Sequence, residues 1–569
     1  MRRIVSIILC FLFINSFLDK KAFSQINVNE QVSFVKAKPI WPTGRQLEKN
    51  LSIGFRASFS VSGDENSVVK ITGSSLYRVF LNDVFIGHGP ARAAHGFYRL
   101  DELDITNKLV KGTNILTIEV AGYNVNSYYL LDQPSFLQAE IIVNGNIVAA
   151  TGDLGFTATE IKNRVQKVPR YSFQRPFIEV YNLIPEHNLW KSDLSVTMNR
   201  LECEVVGNKE IIPRRIKYSD FEIISPSRLI SNGKVKTGQK RNRYWKDRAV
   251  KNIGEELGGF PENELSINPS IELQEMDRIS NTILNTDYSK NESSNFSENS
   301  FQIVDFGFNN TGFIGAEISC DEPCTVYFTF DEILSKDDVD FKRLGCINAV
   351  TYNLAPGKYK LESFEPYTLR YLKIIVTNGS CQIKNIYLRE YVNSDITNAT
   401  FYCNDERINR IYRAGVETFR QNVVDVFMDC PSRERAGWLC DSYFSARVAS
   451  DLSGNTLVEK NFLENYLLPE YFKDLPKGML PMCYPADHPN GNFIPNWAMW
   501  FVLELEEYQY RSGDQELVDA LKYRVLELIE YFEKFKNSDG LLESQVAAQD
   551  TNDDGIADNV TTVSYSYDV

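Results

Sequence analysis

The sequence predicts a multidomain protein of the β + α class, in which two or more jelly-roll-like β-sandwich modules precede a helical barrel. Its 569 residues are too many for one ordinary domain and indicate three or four. Short strand-like segments separated by turn residues fill residues 25–225 and again 299–398, as is typical of sandwiches. From residue 399 to 545 apolar residues recur at helical spacing instead, which by fold analogy indicates an α/α-barrel catalytic domain.

The first β region, residues 25–225, contains two predicted tight hairpins. One turns at Asn82-Asp83 and the other at Asn144-Gly145, because two-residue loops of these types connect antiparallel strands. Residues 226–298 are polar and irregular and are interpreted as a linker or long insertion. Their basic run, Lys234–Lys251, is followed at once by acidic residues, which favours a solvated segment over nucleic-acid binding.

The helical region is predicted from its caps and its apolar period. Asn404 or Asp405 can cap a first helix, and Gly513-Asp514 can end one helix and cap the next. The apolar positions expected to share helix faces are Ile408, Ile411, Tyr412, Phe419, Trp497, Trp500, Phe501, Leu505, Tyr508, Leu517, Leu521, Leu528 and Phe532.

The N-terminal segment indicates where the protein is located, and the net charge limits its possible partners. Residues 1–24 resemble a signal peptide, with Arg2-Arg3, an apolar run to Leu18 and the small residues Ala22 and Ser24 before the expected cut. Export to the periplasm or the medium is therefore expected, without a membrane anchor. The net charge of -14 argues against nucleic acid as a partner.

Ten cysteines are present, one of them inside the expected signal peptide. The remaining nine are an odd number, so at least one is unpaired or pairs between chains. Cys320 and Cys324 are interpreted as buried thiols or one disulfide, since no histidine-rich segment accompanies them as zinc ligands would require.

The most informative segment runs from Asp429 to Asp441 and reads DCPSRERAGWLCD. Pro431 disfavours a helix through Asp429, so we expect a loop there and a helix from Glu434 onward. Trp438 at i+4 and Asp441 at i+7 would then share a face with Glu434. Three carboxylates, a guanidinium and an indole would converge, which suits sugar chemistry: one acid protonates a leaving oxygen while the others bind hydroxyls.

A structural alternative explains the same charges. Arg433 and Arg435 could neutralise Asp429 and Glu434 at an ion-paired helix start, and clustered charges more often serve that purpose than catalysis.

The same segment resembles the signature of the α-L-rhamnosidases of glycoside hydrolase family 78. Nine residue types at fixed spacing carry the resemblance. It extends over residues from about 30 to 545 through further segments: Trp41–Arg45, Gly87–Arg92, Ala121–Asn124, Asp305–Gly307, Asp331-Glu332 and Phe493–Trp497.

The resemblance implies an (α/α)6 barrel, hydrolysis of terminal non-reducing α-L-rhamnose from glycosides or polysaccharides, and inversion at the anomeric carbon. By position, Glu434 matches the general acid. Asp429, Arg433, Trp438 and Asp441 match sugar-binding positions. Trp497 is expected either to stack on the substrate or to pack in the helix core.

The family's general base lies much further along the barrel. The chain ends at Val569 before any such segment, so the barrel is expected to be incomplete, no base is assigned, and little or no turnover is expected. Glu527, Glu530 and Glu533 lie on an apparent amphipathic helix and are interpreted as solvated.

The tail, residues 546–569, is acidic and does not resemble barrel sequence. Asp550, Asn552, Asp554 and Asp558 place oxygens where a calcium loop has them, with Gly555 at the turn, although an acidic turn explains them equally well. No other cofactor is expected.

Two further function classes fit the sequence. One is a non-catalytic carbohydrate-binding protein, favoured by the sandwiches and the missing base. The other is an α/α-barrel glycosidase acting on another sugar.

Overall fold

In the computed structural model, residues 32–542 are described apart from 64, 248–249, 251–256, 290–292, 397 and 488–490. The first part of the chain is almost entirely β. Its strands are β1 (Ile40–Pro42), β2 (Leu51–Val61), β3 (Ser67–Ser74), β4 (Leu76–Leu81), β5 (Val84–Gly89), β6 (Phe97–Asp104), β7 (Gly112–Gly122), β8 (Phe136–Val143), β9 (Asn146–Ala150), β10 (Thr157–Glu160), β11 (Arg170–Ser172), β12 (Arg175–Phe177), β13 (Glu179–Leu183), β14 (Arg200–Leu201), β15 (Cys203–Val205) and β16 (Glu210–Pro213).

Most of these strands form a sandwich of two sheets. The first sheet has the order β15-β1-β8-β3-β6-β16 with β9 paired to β8, and the second has the order β14-β10-β2-β7-β4-β5. Both predicted hairpins are confirmed: β4 pairs with β5 around Asn82-Asp83, and β8 pairs with β9 around Asn144-Gly145. All four turn residues have positive φ, which short hairpin turns require and which Asn, Asp and Gly tolerate.

The second β unit is one eleven-stranded sheet that folds over its own core. Its path is β13-β23-β22-β25-β21-β18-β19, with β24 and β26 on β21, and β17 and β20 on β26. The strands not yet named are β17 (Ile223–Ile224), β18 (Arg228–Lys236), β19 (Asp277–Asp287), β20 (Ser294–Phe296), β21 (Ser300–Cys320), β22 (Cys324–Asp331), β23 (Ala349–Leu354), β24 (Gly357–Glu362), β25 (Tyr367–Asn378) and β26 (Cys381–Glu390).

The interpretation of residues 226–298 as a polar linker is wrong for much of their length. β18 pairs with both β19 and β21, so these residues extend the second sheet. The polar composition suggested a linker because β19 is an edge strand whose side chains are half-buried or exposed on both faces. Edge strands are commonly polar, which suppresses association with other sheets.

Six helices are described: α1 (Pro269–Gln274), α2 (Glu406–Asn422), α3 (Leu439–Ser453), α4 (Leu457–Leu467), α5 (Pro495–Ser512) and α6 (Gln515–Glu533). The caps follow the sequence. The Asp405 side chain accepts a hydrogen bond from the Arg407 amide, Gly513 ends α5 in the left-handed region, and Asp514 accepts from the Leu517 amide. Helices α2–α6 form part of a helical barrel, so the predicted fold class is confirmed.

Three large apolar cores correspond to the sandwich, the second sheet and the helical region, and the helical core also takes in Phe313 and Tyr391 from the β part. One predicted helix face is wrong: Phe419 is buried, but Ile408 and Ile411 are 47% and 71% exposed. Among the described residues all nine cysteines are free thiols, Cys320 and Cys324 being buried. None of the described helices combines the length and the apolarity that crossing a membrane requires.

Candidate active site

The segment from Asp425 to Trp438 is a loop between α2 and α3, and the predicted helix from Glu434 onward is wrong. Residues 431–434 form turns, and α3 begins only at Leu439. Arg435 stops any helix because its φ is +56°. Trp438 is extended and bridges to Cys483. Glu434 and Asp441 therefore meet through the loop and not through one helix face.

Tertiary contacts hold Arg435 in this strained conformation. Its buried guanidinium lies between the rings of Tyr129 and Tyr391, 5.3 Å and 5.5 Å from their centroids. The same side chain donates a hydrogen bond to the Pro431 carbonyl at 3.3 Å. Arg435 thus forms no ion pair with the acidic residues, contrary to the structural alternative, whereas Arg433 does.

A buried ion pair fixes the start of the loop to the sandwich. Arg92 donates to both carboxylate oxygens of Asp425, with Nη2 2.6 Å from Oδ1 and Nε 2.9 Å from Oδ2. Its Nη1 also donates to the Arg435 carbonyl at 2.6 Å. Burial would raise the pKa of Asp425, but the charge of Arg92 outweighs it and lowers the pKa to about 2.

The centre of the site is a pair of carboxyl groups, Asp429 and Glu434. The two are hydrogen-bonded, and burial together with the charge of Glu434 raises the pKa of Asp429 to about 8. Like charges this close cannot both ionise cheaply, so the pair retains one proton at neutral pH. Asp429 Oδ1 is buried and has no hydrogen-bond partner.

Glu434 is 1% exposed and accepts two hydrogen bonds from opposite sides. Arg433 Nη2 lies 2.7 Å from Oε1, and Gln174 Nε2 lies 2.5 Å from Oε2. Donor atoms of Asp429, Cys430 and Glu434 lie within 4.8 Å of one another, close enough to hold a metal ion. The guanidinium and amide donors already on Glu434 disfavour a metal cation there.

Asp441 lies on the first turn of α3, where the charge of Glu434 affects it. Burial, and to a smaller extent the charge of Glu434, raises its pKa against a backbone hydrogen bond that lowers it. Of the three carboxylates predicted to converge, Asp429 and Glu434 are in contact, and Asp441 lies near enough for the charge of Glu434 to raise its pKa.

Both tryptophans belong to one apolar cluster at this end of the barrel. Trp438, at the start of α3, and Trp497, at the start of α5, pack against a group that also contains Tyr128 and Phe173. The Tyr128 and Trp438 rings are 5.9 Å apart at 30°. Trp497 is half-buried, and its Nε1 atom is buried without a hydrogen-bond partner.

A second buried acid, Glu504 of α5, contacts α3 through Ser442. Ser442 Oγ lies 2.6 Å from both Glu504 Oε2 and the Leu439 carbonyl. Burial, and then the charge of Glu459, raise the pKa of Glu504 well above its usual range, although the hydrogen bond with Ser442 lowers it. A protonated Glu504 can donate to Ser442 Oγ while Ser442 donates to the Leu439 carbonyl.

Sequence reasoning missed the contribution of the β part to the site. Gln174 and Phe173 lie on the turn between β11 and β12, and Tyr128 follows β7. Arg92 lies in a segment that carried the family resemblance, which was the one available signal. Gln174 has no sequence signal, because the interface between modules alone places it opposite Glu434. The expected signal peptide and the expected calcium ligands Asp550, Asn552, Asp554 and Asp558 lie outside the described residues.

Comparison with known proteins agrees with this architecture. Residues 397–559 match the bacterial α-L-rhamnosidase six-hairpin glycosidase domain. An α-L-rhamnosidase of Formosa agariphila is 24% identical, covering 42% of this chain and 27% of its own length. The chain thus spans about a quarter of the curated relative that it matches.

Solved structures show the same fold. The family 78 rhamnosidase of Bacillus sp. GL1 superimposes with a TM-score of 0.71 at 17% identity, over 90% of this chain and 70% of the other. The Streptomyces avermitilis α-L-rhamnosidase, solved with L-rhamnose, gives 0.59 at 18% identity, over 86% and 42%. The resemblance to family 78 α-L-rhamnosidases seen in the sequence is confirmed.

Proposed function

We propose that this relative of the family 78 α-L-rhamnosidases acts on terminal α-L-rhamnose, with Glu434 as the general acid of an inverting hydrolysis. The observation that carries the proposal is the hydrogen-bonded pair formed by the half-buried Asp429 and the buried Glu434. A glycosidase needs a carboxylic acid that keeps its proton near neutral pH, and a pair that shares one proton supplies it.

The two carboxyl groups of the pair have different chemical roles. Arg433 and Gln174 donate to Glu434, so the resting proton lies on Asp429. Sugar binding excludes water from the half-buried Asp429 and strengthens the repulsion between the acids. The single proton of the pair then moves from Asp429 to Glu434, which gives it to the leaving oxygen as the glycosidic bond breaks, so that both carboxyl groups end the step ionised. Asp441, Trp438 and Trp497 bind the sugar through a carboxylate and two indole faces.

Asp429 does not fit the role of general base. Inversion needs a water molecule between the sugar and a second carboxylate, which requires a separation of roughly 6.5–9.5 Å. A carboxyl group hydrogen-bonded to Glu434 leaves no space for that water. The base therefore has to come from a different carboxylate.

The leaving-group dependence of turnover tests the role of Glu434. In a form of the protein that turns over, Glu434→Gln is expected to abolish cleavage of natural rhamnosides. It should spare more activity on an aryl rhamnoside whose leaving group needs no proton. Asp441→Asn is the control and should slow both substrates by similar factors. Equal slowing of both substrates by Glu434→Gln would move the acid to Asp429 or Asp441.

Binding by the chain itself separates the function classes. Calorimetry with L-rhamnose should give binding that Asp441→Asn and Trp438→Ala weaken by about tenfold each. Sugar binding without turnover in any form of the protein would support a carbohydrate-binding protein instead. Preference for another monosaccharide would point to a different glycosidase.

Export and calcium binding are separate parts of the proposal. The basic start, the apolar run and Ala22-Phe23-Ser24 support removal of residues 1–24 during export. N-terminal sequencing of the exported protein should therefore begin at Gln25. The spacing of Asp550, Asn552, Asp554 and Asp558 supports a calcium loop. Calorimetry with calcium should give a binding heat that an Asp550→Ala, Asp554→Ala variant lacks.

A further inference from the structure

A polar cleft of about 880 Å³ lies beside the candidate active site, between the β-sandwich and the loop that joins α4 to α5. We propose that this cleft binds the sugar to which the rhamnose is attached, so that the substrate is a neutral oligosaccharide. The proposal rests on the proposed function and extends it to the leaving-group side.

The cleft adjoins the aromatic cluster of the site. Ala486 lines the cleft and also packs in the cluster with Tyr128 and Trp438. On the sandwich side, Asn126 lines the cleft two residues before Tyr128. The cleft and the aromatic cluster therefore share Ala486 as a common wall, and a ligand that extends past Trp438 on this side would reach the cleft.

The wall formed by the α4–α5 loop is rigidly built. The buried Arg524 donates to the carbonyls of Pro469 and Glu470 and stacks on Phe472, 4.8 Å from its centroid. Gly491, at φ +58°, packs so closely that an added Cβ would lie 2.1 Å from the Asp474 carbonyl oxygen. A fixed backbone can hold a binding side chain without an ordering cost at each binding event.

Tyr471 is the side chain that this wall presents. It lines the cleft, is 74% exposed, and is flanked by residues whose backbone is held in place. An exposed ring on a fixed loop offers a flat apolar face for the C–H surface of a sugar ring.

The opposite wall is joined to the loop through Asp487. Its Oδ1 lies 2.7 Å from His95 Nε2, and its Oδ2 accepts a hydrogen bond from the Asp132 amide at 2.6 Å. Asp487 therefore keeps the two walls at a fixed separation.

The charges of the cleft favour an uncharged ligand. Four carboxylates and two lysines line it, together with His95; these are Asp132, Glu470, Asp474, Asp487, Lys49 and Lys473. Carboxylates accept hydrogen bonds from hydroxyl groups, whereas an excess of negative charge repels an acidic sugar. A neutral hexose fits this surface, and a uronic acid does not.

Calorimetry of the chain with three probes tests the inference: L-rhamnose, α-L-rhamnosyl-(1→6)-glucose and an α-L-rhamnosyl-glucuronic acid disaccharide. The neutral disaccharide should bind about tenfold more tightly than rhamnose. Tyr471→Ala should remove about three- to tenfold of that affinity and leave rhamnose binding unchanged. Tyr510→Ala is the matched control, since Tyr510 is 82% exposed on α5 outside the cleft. Mass spectrometry of the titrated sample verifies that the disaccharide is intact.

The outcomes separate this inference from the proposed function. The cleft proposal is wrong if rhamnose binds but the attached glucose adds no affinity, or if Tyr471→Ala leaves the added affinity intact. Either result leaves the proposed active site unaffected. Tighter binding of the acidic disaccharide overturns its assignment to neutral sugars. A chain that binds none of the probes overturns both proposals. Asp132→Asn, which keeps the amide bonded to Asp487, provides a second variant and should weaken the neutral disaccharide alone by about threefold.

Discussion

Asp425 and Asp429 lie four residues apart on one loop, and their surroundings shift their pKa values in opposite directions. Arg92 lowers the pKa of Asp425 to about 2, whereas burial and Glu434 raise that of Asp429 to about 8. Asp425 has both oxygens bonded to a guanidinium, and Asp429 has an unpartnered oxygen beside a second acid. The first arrangement suits an anchor and the second suits proton transfer.

Breaking the anchor should have the largest effect. Asp425→Ala leaves the Arg92 guanidinium buried without a counter-charge and should lower the free energy of unfolding by about 3–5 kcal/mol. Urea denaturation at pH 7 measures it. The paired variant Arg92→Met with Asp425→Leu removes both charges and should lose clearly less. Equal losses in the two variants would show that packing, and not charge pairing, makes Asp425 an anchor.

Replacing Glu504 should destabilise the protein less than replacing Asp425. Glu504 is buried but neutral, so its loss leaves no unpaired charge. Glu504→Ala leaves Ser442 without its donor and creates a cavity, so a loss of about 2–4 kcal/mol is expected. Glu504→Gln keeps a neutral donor and should cost less than about 1 kcal/mol. The two variants are compared by thermal and urea denaturation. A Gln variant as unstable as the Ala variant would mean that Glu504 is ionised.

The two aspartates should also give opposite pH dependences. The folded-state pKa of Asp429 is raised above its unfolded value. Its contribution to the free energy of unfolding, measured against Asp429→Asn, is therefore fully present below about pH 4 and is lost as the pH rises towards 8. Between pH 6 and 8 this loss should be about 2–3 kcal/mol. The folded-state pKa of Asp425 is lowered, so its contribution is present above about pH 4 and lost towards pH 2. Urea titrations across pH with both Asn variants measure the difference. Parallel curves would contradict it.

An exposed carboxylate should show the smallest effect. Asp405 caps α2 through the Arg407 amide and has no buried partner. Asp405→Ala should lower the denaturation midpoint only slightly and Asp405→Asn still less, because the amide oxygen still caps the helix. Denaturation midpoints of the two variants provide the check, and a loss as large as that of Asp425→Ala would remove the distinction between cap and anchor.

Much of the fold followed from the sequence alone because its determinants are local. Turn residues defined the hairpins at Asn82-Asp83 and Asn144-Gly145, and Asp405, Gly513 and Asp514 marked helix ends. The signature from Asp429 to Asp441 located the acidic cluster because its spacing could be recognised without coordinates. Its local geometry could not be predicted, since the positive φ of Arg435 depends on Tyr129 and Tyr391, which lie far away in the sequence.

The sequence by itself determined the order of β modules and helices, the caps and the residues of the acidic cluster, because each depends on neighbours along the chain. Only the tertiary structure decided that Asp425 is an anchor while Asp429 holds a proton. Arg92 and Gln174 come from the sandwich, and residue type and spacing carry no information about which buried acid will meet a guanidinium. The protonation of a buried carboxyl group is therefore a property of the assembled interface between the β modules and the barrel.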